Sequence, residues 1–165
     1  MAAPGFRHED GAGHISGWEE RGADWRGFAT GGSKTLFRFG RPPSDRICIT
    51  EAAIDALSLA SLEGMRAGTL YASTGGGWSP LTVEAIAAIA DGATLVAATD
   101  ADPQGEVYVD RLREIANNLG SDFVRLRPHL IDWNEDLKEK RGDQDMPHAR
   151  QTGSRVKLRP PDGGP

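Results

Sequence analysis

From residue 46 onward the chain alternates two patterns. Short apolar runs occupy 47–50 (ICIT), 69–73 (TLYAS), 94–99 (TLVAAT) and 123–126 (FVRL). They are apolar nearly throughout, as strands buried on both faces must be. Segments with helical spacing separate them. The first, 52–65, is rich in helix formers and sets Ile54, Leu57 and Ala60 on one face. The second opens with Ser79 as N-cap and Pro80 at the first helical position, and carries Val83, Ile86 and Ala90 inward through residue 90. The third, from about Glu106, holds Tyr108, Leu112, Ile115 and Leu119 at i, i+4, i+7 and i+11, and Gly120 fits its end. Asp132 to Glu135 opens a last short helix that ends near Gly142. The alternation predicts an α/β fold: a Rossmann-like, four-stranded parallel sheet flanked by helices. Right-handed crossovers open all strand C-termini on one edge, where ligands bind.

Residues 1–45 follow a different pattern. They are rich in Gly, Trp and Arg, with Ile15, Gly17 and Glu19 alternating against Ser16, Trp18 and Glu20. Residues 34–39 (KTLFRF) form another strand candidate, and Asp10-Gly11 and Gly31-Gly32 supply turns. This predicts two or three short antiparallel strands, too few to fold alone. Residues 143–165 lack periodicity and contain Pro147, Pro160, Pro161 and Pro165, which predicts a disordered tail. The expected organisation is therefore a β-rich segment at 1–45, a main domain at 46–142 and a tail at 143–165. No internal repeat is visible.

Composition narrows the class. Hydrophobic residues at 38% of 165 can build a core. The sequence has no apolar stretch of membrane-spanning length and no basic-then-apolar leader, and its single cysteine, Cys48, excludes an internal disulfide and a Cys-rich zinc ribbon. A cytoplasmic protein without membrane partners is expected. The net charge of −5 is uneven: residues 1–46 carry +1, 47–136 carry −9 and 137–165 carry +3. An acidic centre is no general nucleic-acid-coating surface. It suits either a site working through divalent cations or a solvated acidic face.

The candidate chemistry lies at strand ends. Glu51 follows the first run, and Asp100 and Asp102 follow the third. If those strands are neighbours, three carboxylates meet at one edge and raise one another's pKa unless a proton or a hard cation intervenes. Mg²⁺ takes one or two carboxylates plus substrate phosphates and water, which suits phosphoryl transfer. Plainer readings stand beside this one. Glu51 could serve a helix N-terminus, and Asp100 to Pro103 could be an Asx turn. Gly75, Gly76 and Gly77 before Ser79 could cradle a phosphate, but they lack a P-loop lysine and its spacing, so a plain loop is the alternative. Asp132 and Glu135 have capping-box spacing, and Trp133 reads as packing. Asp100, Asp102 and Gly105 do not make a calcium loop, because Arg111 stands where the bidentate Glu belongs. His8, His14, His129 and His148 are too scattered for a zinc set or a catalytic dyad.

Together, ICITEAAIDALSLA (47–60) and LVAATDADPQGE (95–106) resemble the Toprim domain of topoisomerases, bacterial-type primases and related nucleases. IDWNEDL (131–137) and GFRHEDGAGHISGWEERG (5–22) resemble segments flanking that domain in plasmid and mobile-element primase or relaxase proteins, so the resemblance spans roughly 5–140. It implies a Mg²⁺-dependent enzyme (Mn²⁺ as a substitute) acting on DNA or RNA phosphodiesters, by primase-like nucleotidyl transfer or by nuclease cleavage, with replication or conjugation proteins as partners. By the same resemblance Glu51 is the general acid/base, Asp100 and Asp102 hold the metal, Asp55 supports them, and Gly105 lets the next helix start close to the metal loop. The sequence departs from the pattern in lacking a zinc ribbon, a long basic N-terminal subdomain and a tyrosine-bearing topoisomerase domain. Those departures frame the alternative, a non-catalytic module binding a replication or conjugation partner. A haloacid-dehalogenase-type phosphatase fits less well, since that class places its Asp pair after the first strand, with Thr or Val where Gln104 stands here.

Overall fold

The computed structural model describes residues 5–21, 26–41 and 43–145. One eight-stranded mixed sheet runs through the molecule. Its strands are β1 (Gly5–Glu9), β2 (Ile15–Arg21), β3 (Arg26–Phe28), β4 (Leu36–Gly40), β5 (Arg46–Thr50), β6 (Thr69–Ser73), β7 (Thr94–Ala97) and β8 (Phe123–Arg125). The helices are α1 (Ala53–Leu62), α2 (Pro80–Ala90), α3 (Pro103–Leu119) and α4 (Trp133–Asp145). Strand order is β3-β2-β1-β4-β6-β5-β7-β8. The expected four parallel strands are the block β6-β5-β7-β8.

The N-terminal strands are antiparallel, as expected, but number four, and they do not stand apart. β4 pairs with β6 through Phe37↔Ser73 to Gly40↔Leu70, so they extend the parallel sheet past its edge. That pairing supplies the burial that a short hairpin lacks. The β1–β2 turn is closed by Asp10, whose Oδ1 accepts from the N–H groups of Ala12 and His14, both at 2.9 Å.

Two-sided burial explains the apolar strands β5, β6 and β7; β8 lies at the sheet's edge and leaves Val124 exposed. Alternate residues of β5 feed opposite cores. Ile47 and Ile49 pack with Ile86, Val109 and Leu112 under α2 and α3, and Cys48 packs with Leu59, Tyr71 and Trp133 under α1 and α4. Most of the expected helix faces agree: Ile86, Ala90, Tyr108, Leu112 and Ile115 are buried. The α1 face is the exception. Leu57 is exposed, and Ala53, Ala56, Leu59 and Ala60 face inward. Small residues win there because they let the helix lie close against both the sheet and α4. The last helix passes Gly142 to reach Asp145, so residues 143–145 are helical rather than part of a tail; the remainder of the expected tail lies outside the described residues. Among the described residues, no helix is long and apolar enough to cross a membrane.

Candidate active site

The connections place the site. β5 leads through α1 to β6 on one side, and α2 then carries the chain back to β7 on the other side of β5. The connections after β5 and β7 therefore leave for opposite faces, and the sheet opens a crevice between their C-terminal ends, the usual ligand position in such folds. Glu51 and Asp100 flank that crevice. The backbone N–H of Asp100 donates to Glu51 Oε1 at 3.3 Å. Thr50 Oγ1 braces the turn at Glu51, its one proton shared between the carbonyls of Ala52 (3.0 Å) and Ala72 (3.2 Å).

Both carboxyls resist ionisation. Burial, followed by the charges of Asp100, Asp102 and Asp55, raises Glu51 to about 7, against one hydrogen bond that lowers it. Burial, followed by the charges of Asp132 and Asp102, raises Asp100 to about 6, against Arg125. Asp100 Oδ1 is buried with no hydrogen-bond partner among the described residues. Hard oxygen donors, mutual repulsion and an unpartnered buried oxygen together fit a divalent cation.

Asp102 is placed differently. Its Oδ1 accepts from Gly105 N at 2.7 Å and caps α3. Its charge reaches Glu51 and Asp100, but its side chain is committed to the helix. Among the described residues, no three His, Cys, Asp or Glu side chains converge closely enough to hold a metal. Gly105 has a steric role: a Cβ there would lie 2.8 Å from the carbonyl carbon of Asp100 and closer still to its oxygen. Asp55 is buried and accepts from Asn134 N at 3.2 Å, tying α1 to α4. Gly75 and Gly76 hold φ of +63° and +70°, a region L side chains avoid. The N–H of Gly76 donates to the Glu51 carbonyl and that of Gly77 to the Thr74 carbonyl, so two of the three glycines bind their own chain. Asp132 caps α4 by accepting from Glu135 N at 2.8 Å.

Sequence reasoning missed the groups that hold the loop after β7. Arg125 donates to the carbonyls of Ala97 (3.2 Å), Thr99 (2.9 Å), Asp100 (3.0 Å) and Leu126 (2.9 Å), and to Glu106 Oε1 (2.9 Å). Trp133 Nε1 donates to the Ala98 carbonyl at 2.7 Å, which makes it a brace as well as packing. The one available signal was a lone arginine in the short run FVRL, since a cation within a buried sheet needs acceptors. Also unforeseen, the N-terminal strands complete the site. A cleft of about 410 Å³ is lined by Glu51, Asp100, Gly75 and Gly76 on one side and by Glu19, Phe28 and Lys34 on the other. Behind it His8, fully buried, lies 3.7 Å from Glu19 Oε2. A larger depression of about 820 Å³ sits at the opposite edge, where the parallel strands begin.

Comparison with known proteins matches this arrangement. Residues 3–45 match a protein family of unknown function (DUF3991). No curated protein matches the chain. The crystal structure of the primase fragment of the bacteriophage T7 primase-helicase protein is similar, with a TM-score of 0.60 and 21% identity over 86% of this chain. This chain covers 61% of that fragment. The primase domains in a bacteriophage T7 lagging-strand DNA polymerase complex, bound to an RNA/DNA hybrid and dTTP, give a TM-score of 0.54 at 21% identity, over 84% of this chain and 72% of that one. At such identity the likeness is one of fold. The family assignment rests on sequence: residues 48–137, more than half of the chain, match the Toprim-like family, and the chain belongs to it.

Proposed function

We propose that this protein is a Mg²⁺-dependent enzyme acting on nucleic-acid phosphodiesters, by primase-like nucleotidyl transfer or by strand cleavage, in the cytoplasmic DNA metabolism of a plasmid or mobile element. The observation that carries the reading is the pair Glu51 and Asp100 at the switch point of the sheet, with Asp100 Oδ1 unpartnered. With no cation bound, burial and acidic neighbours raise Glu51 to about 7; a carboxyl at this edge is placed to accept a proton from an attacking hydroxyl and return one to a leaving oxygen. Asp100, with Asp102 beside it, would hold the cation, Mg²⁺ or Mn²⁺. When bound, the cation would neutralise charge developing on the phosphoryl oxygens. Lys34 faces the carboxylates across the cleft and offers a phosphate contact. Arg125 keeps the carboxylate loop fixed, so little reorganisation accompanies reaction.

One observation favours a second reading, a non-catalytic module that binds a replication or conjugation partner: Asp102 is spent on capping α3. Primer-extension and plasmid-nicking assays, with and without chelator, separate the two. The enzyme reading expects chelator-sensitive turnover that Glu51→Gln removes. A fully active Glu51→Gln, or absence of Asp100 and Asp102 perturbation by millimolar Mg²⁺ in NMR spectra, overturns it.

A further inference from the structure

The N-terminal strands meet the carboxylate site through one buried group that the chemistry above does not use. His8 of β1 is fully buried, and neither ring nitrogen has a hydrogen-bond partner among the described residues. A buried imidazole in that state costs stability, and an apolar side chain would fill the space without the cost. The ring is nevertheless gripped from behind. Phe28 meets it edge-on, with centroids 5.0 Å apart and planes at 89°, and Glu19 Oε2 lies 3.7 Å from its Nε2. Phe28 is itself wedged against Gly17 and Gly32, where a Cβ would come within 2.5 and 3.0 Å of its ring.

In front of the ring stands the glycine turn that follows β6. A Cβ on Gly75 would lie 2.8 Å from His8 Cε1 and 3.2 Å from Nε2, so the imidazole fills the space that any other residue at 75 would need. The same turn holds the main chain at Glu51. Gly76 N–H donates to the Glu51 carbonyl at 2.8 Å, and Thr74 N–H to the Thr50 carbonyl at 3.2 Å. Strand register leads to the same place. His8 pairs with Phe37, Phe37 with Ser73 and Ser73 with Thr50, a row across β1, β4, β6 and β5 that ends beside Glu51. The glycine turn therefore sets the backbone of Glu51, while Asp100 N–H holds its carboxyl at 3.3 Å.

We propose that His8 is a positioning residue for Glu51: its ring buttresses the Gly75 turn and fixes the backbone from which the Glu51 carboxyl projects. The proposal rests on the enzyme reading above and deepens it by naming what the N-terminal strands supply. They are a working wall of the site, joined to it through His8, and not a separate module. A flat ring clamped by Phe28 and Glu19 transmits the position of β1 and β2 to the turn, which a flexible side chain would not do. Proton transfer at Glu51 is sensitive to displacements of this kind. The loop bearing Asp100 is held independently by Arg125, so cation binding does not pass through His8.

The test is a double-mutant cycle in the full chain, with Gly75→Ala, His8→Val and the pair. The readouts are the NMR amide shifts of Gly76 and Asp100, Mg²⁺ affinity by calorimetry, and kcat and KM in the primer-extension and nicking assays. Gly75→Ala drives a methyl into the ring and is expected to lower kcat about 10- to 100-fold, with KM and Mg²⁺ affinity within about twofold. His8→Val is expected to lower kcat about tenfold and to shift the Gly76 amide. Val suits a strand and is shorter, so the pair has room for the methyl and is expected to be more active than Gly75→Ala alone. The strain of a side chain at the Gly75 φ of +63° is common to both arms and cancels in the cycle. Should His8→Val not fold, His8→Asn takes its place. Losses that simply multiply in the pair, or an unmoved Gly76 amide in the folded His8 variant, overturn the proposal and leave the enzyme reading standing. Absence of turnover in the unmodified protein overturns the enzyme reading, and the amide shifts across the cycle still decide whether His8 sets the turn.

Discussion

Two partly buried glutamates stand at opposite edges of the parallel sheet and behave in opposite ways. Glu63, just past α1, receives two hydrogen bonds from Arg46 at 2.9 Å each and one from the Tyr71 hydroxyl at 2.7 Å. Burial alone would raise it, but these donors outweigh burial and hold it below its ordinary value. Glu51, at the other edge, has one backbone donor at 3.3 Å and the charges of Asp100, Asp102 and Asp55 around it, and rises to about 7. Similar side chains in similar burial thus differ through their partners. A carboxylate whose partners are supplied by the chain stabilises the fold. One left among like charges is available to a proton or a cation. The contrast also explains why the larger depression is the poorer functional candidate: it is lined by Arg46 and Glu63, whose charges already satisfy each other.

The strongest way to break the comparison is functional. Glu51→Gln is expected to lower turnover by about 10²–10⁴-fold while leaving the fold intact; primer extension and nicking rates check the first half, circular dichroism the second. The converse substitution should act on stability. Glu63→Ala strands the Arg46 guanidinium and the Tyr71 hydroxyl, at a cost of about 2–4 kcal/mol in urea unfolding, with any turnover of the folded fraction unchanged. Loss of stability in Glu51→Gln at neutral pH comparable to that in Glu63→Ala would erase the distinction.

A smaller effect sharpens it. Glu51 ionises near 4.5 when unfolded and about 7 when folded, and Asp100 near 3.8 and about 6. Between those values the folded chain keeps protons that the unfolded chain has lost. Stability therefore falls as pH rises from about 4 to 7 and levels off above. Thermal unfolding across that range should show the decline, and Glu51→Gln combined with Asp100→Asn should flatten it. The smallest expected change concerns Asp102. Asn is as good an N-cap as Asp, so Asp102→Asn should alter stability by less than about 0.5 kcal/mol, whereas Asp102→Ala should cost about 1 kcal/mol. Weaker Mg²⁺ binding in Asp102→Asn, measured by calorimetry, would show that its charge serves the cation as well as the helix.

The legible part of the site was its position along the chain. Apolar runs buried on both faces can only be inner strands, so Glu51 and Asp100 had to emerge at the ends of such strands, and Ser79-Pro80 and Gly120 marked helix limits through local backbone chemistry. The α1 face was illegible because its inward residues are, apart from Leu59, small or polar (Ala53, Asp55, Ala56, Ser58 and Ala60), so their burial reflects close packing rather than hydrophobic contrast. Arg125 was hard to read because four of its five acceptors are main-chain carbonyls, which no side-chain pattern announces.

Local chemistry thus determined which segments are strands and helices and which acidic groups end them, since periodicity and capping act over a few residues. Neighbourhood was decided only in three dimensions. The placement of β5 between β6 and β7, the pairing of β4 onto β6 and the approach of Lys34 and Phe28 to the carboxylates all join residues far apart in sequence. The physical reason is that charge repulsion and desolvation depend on distance through space, so Glu51 acquires its unusual acidity from neighbours that folding alone brings to it.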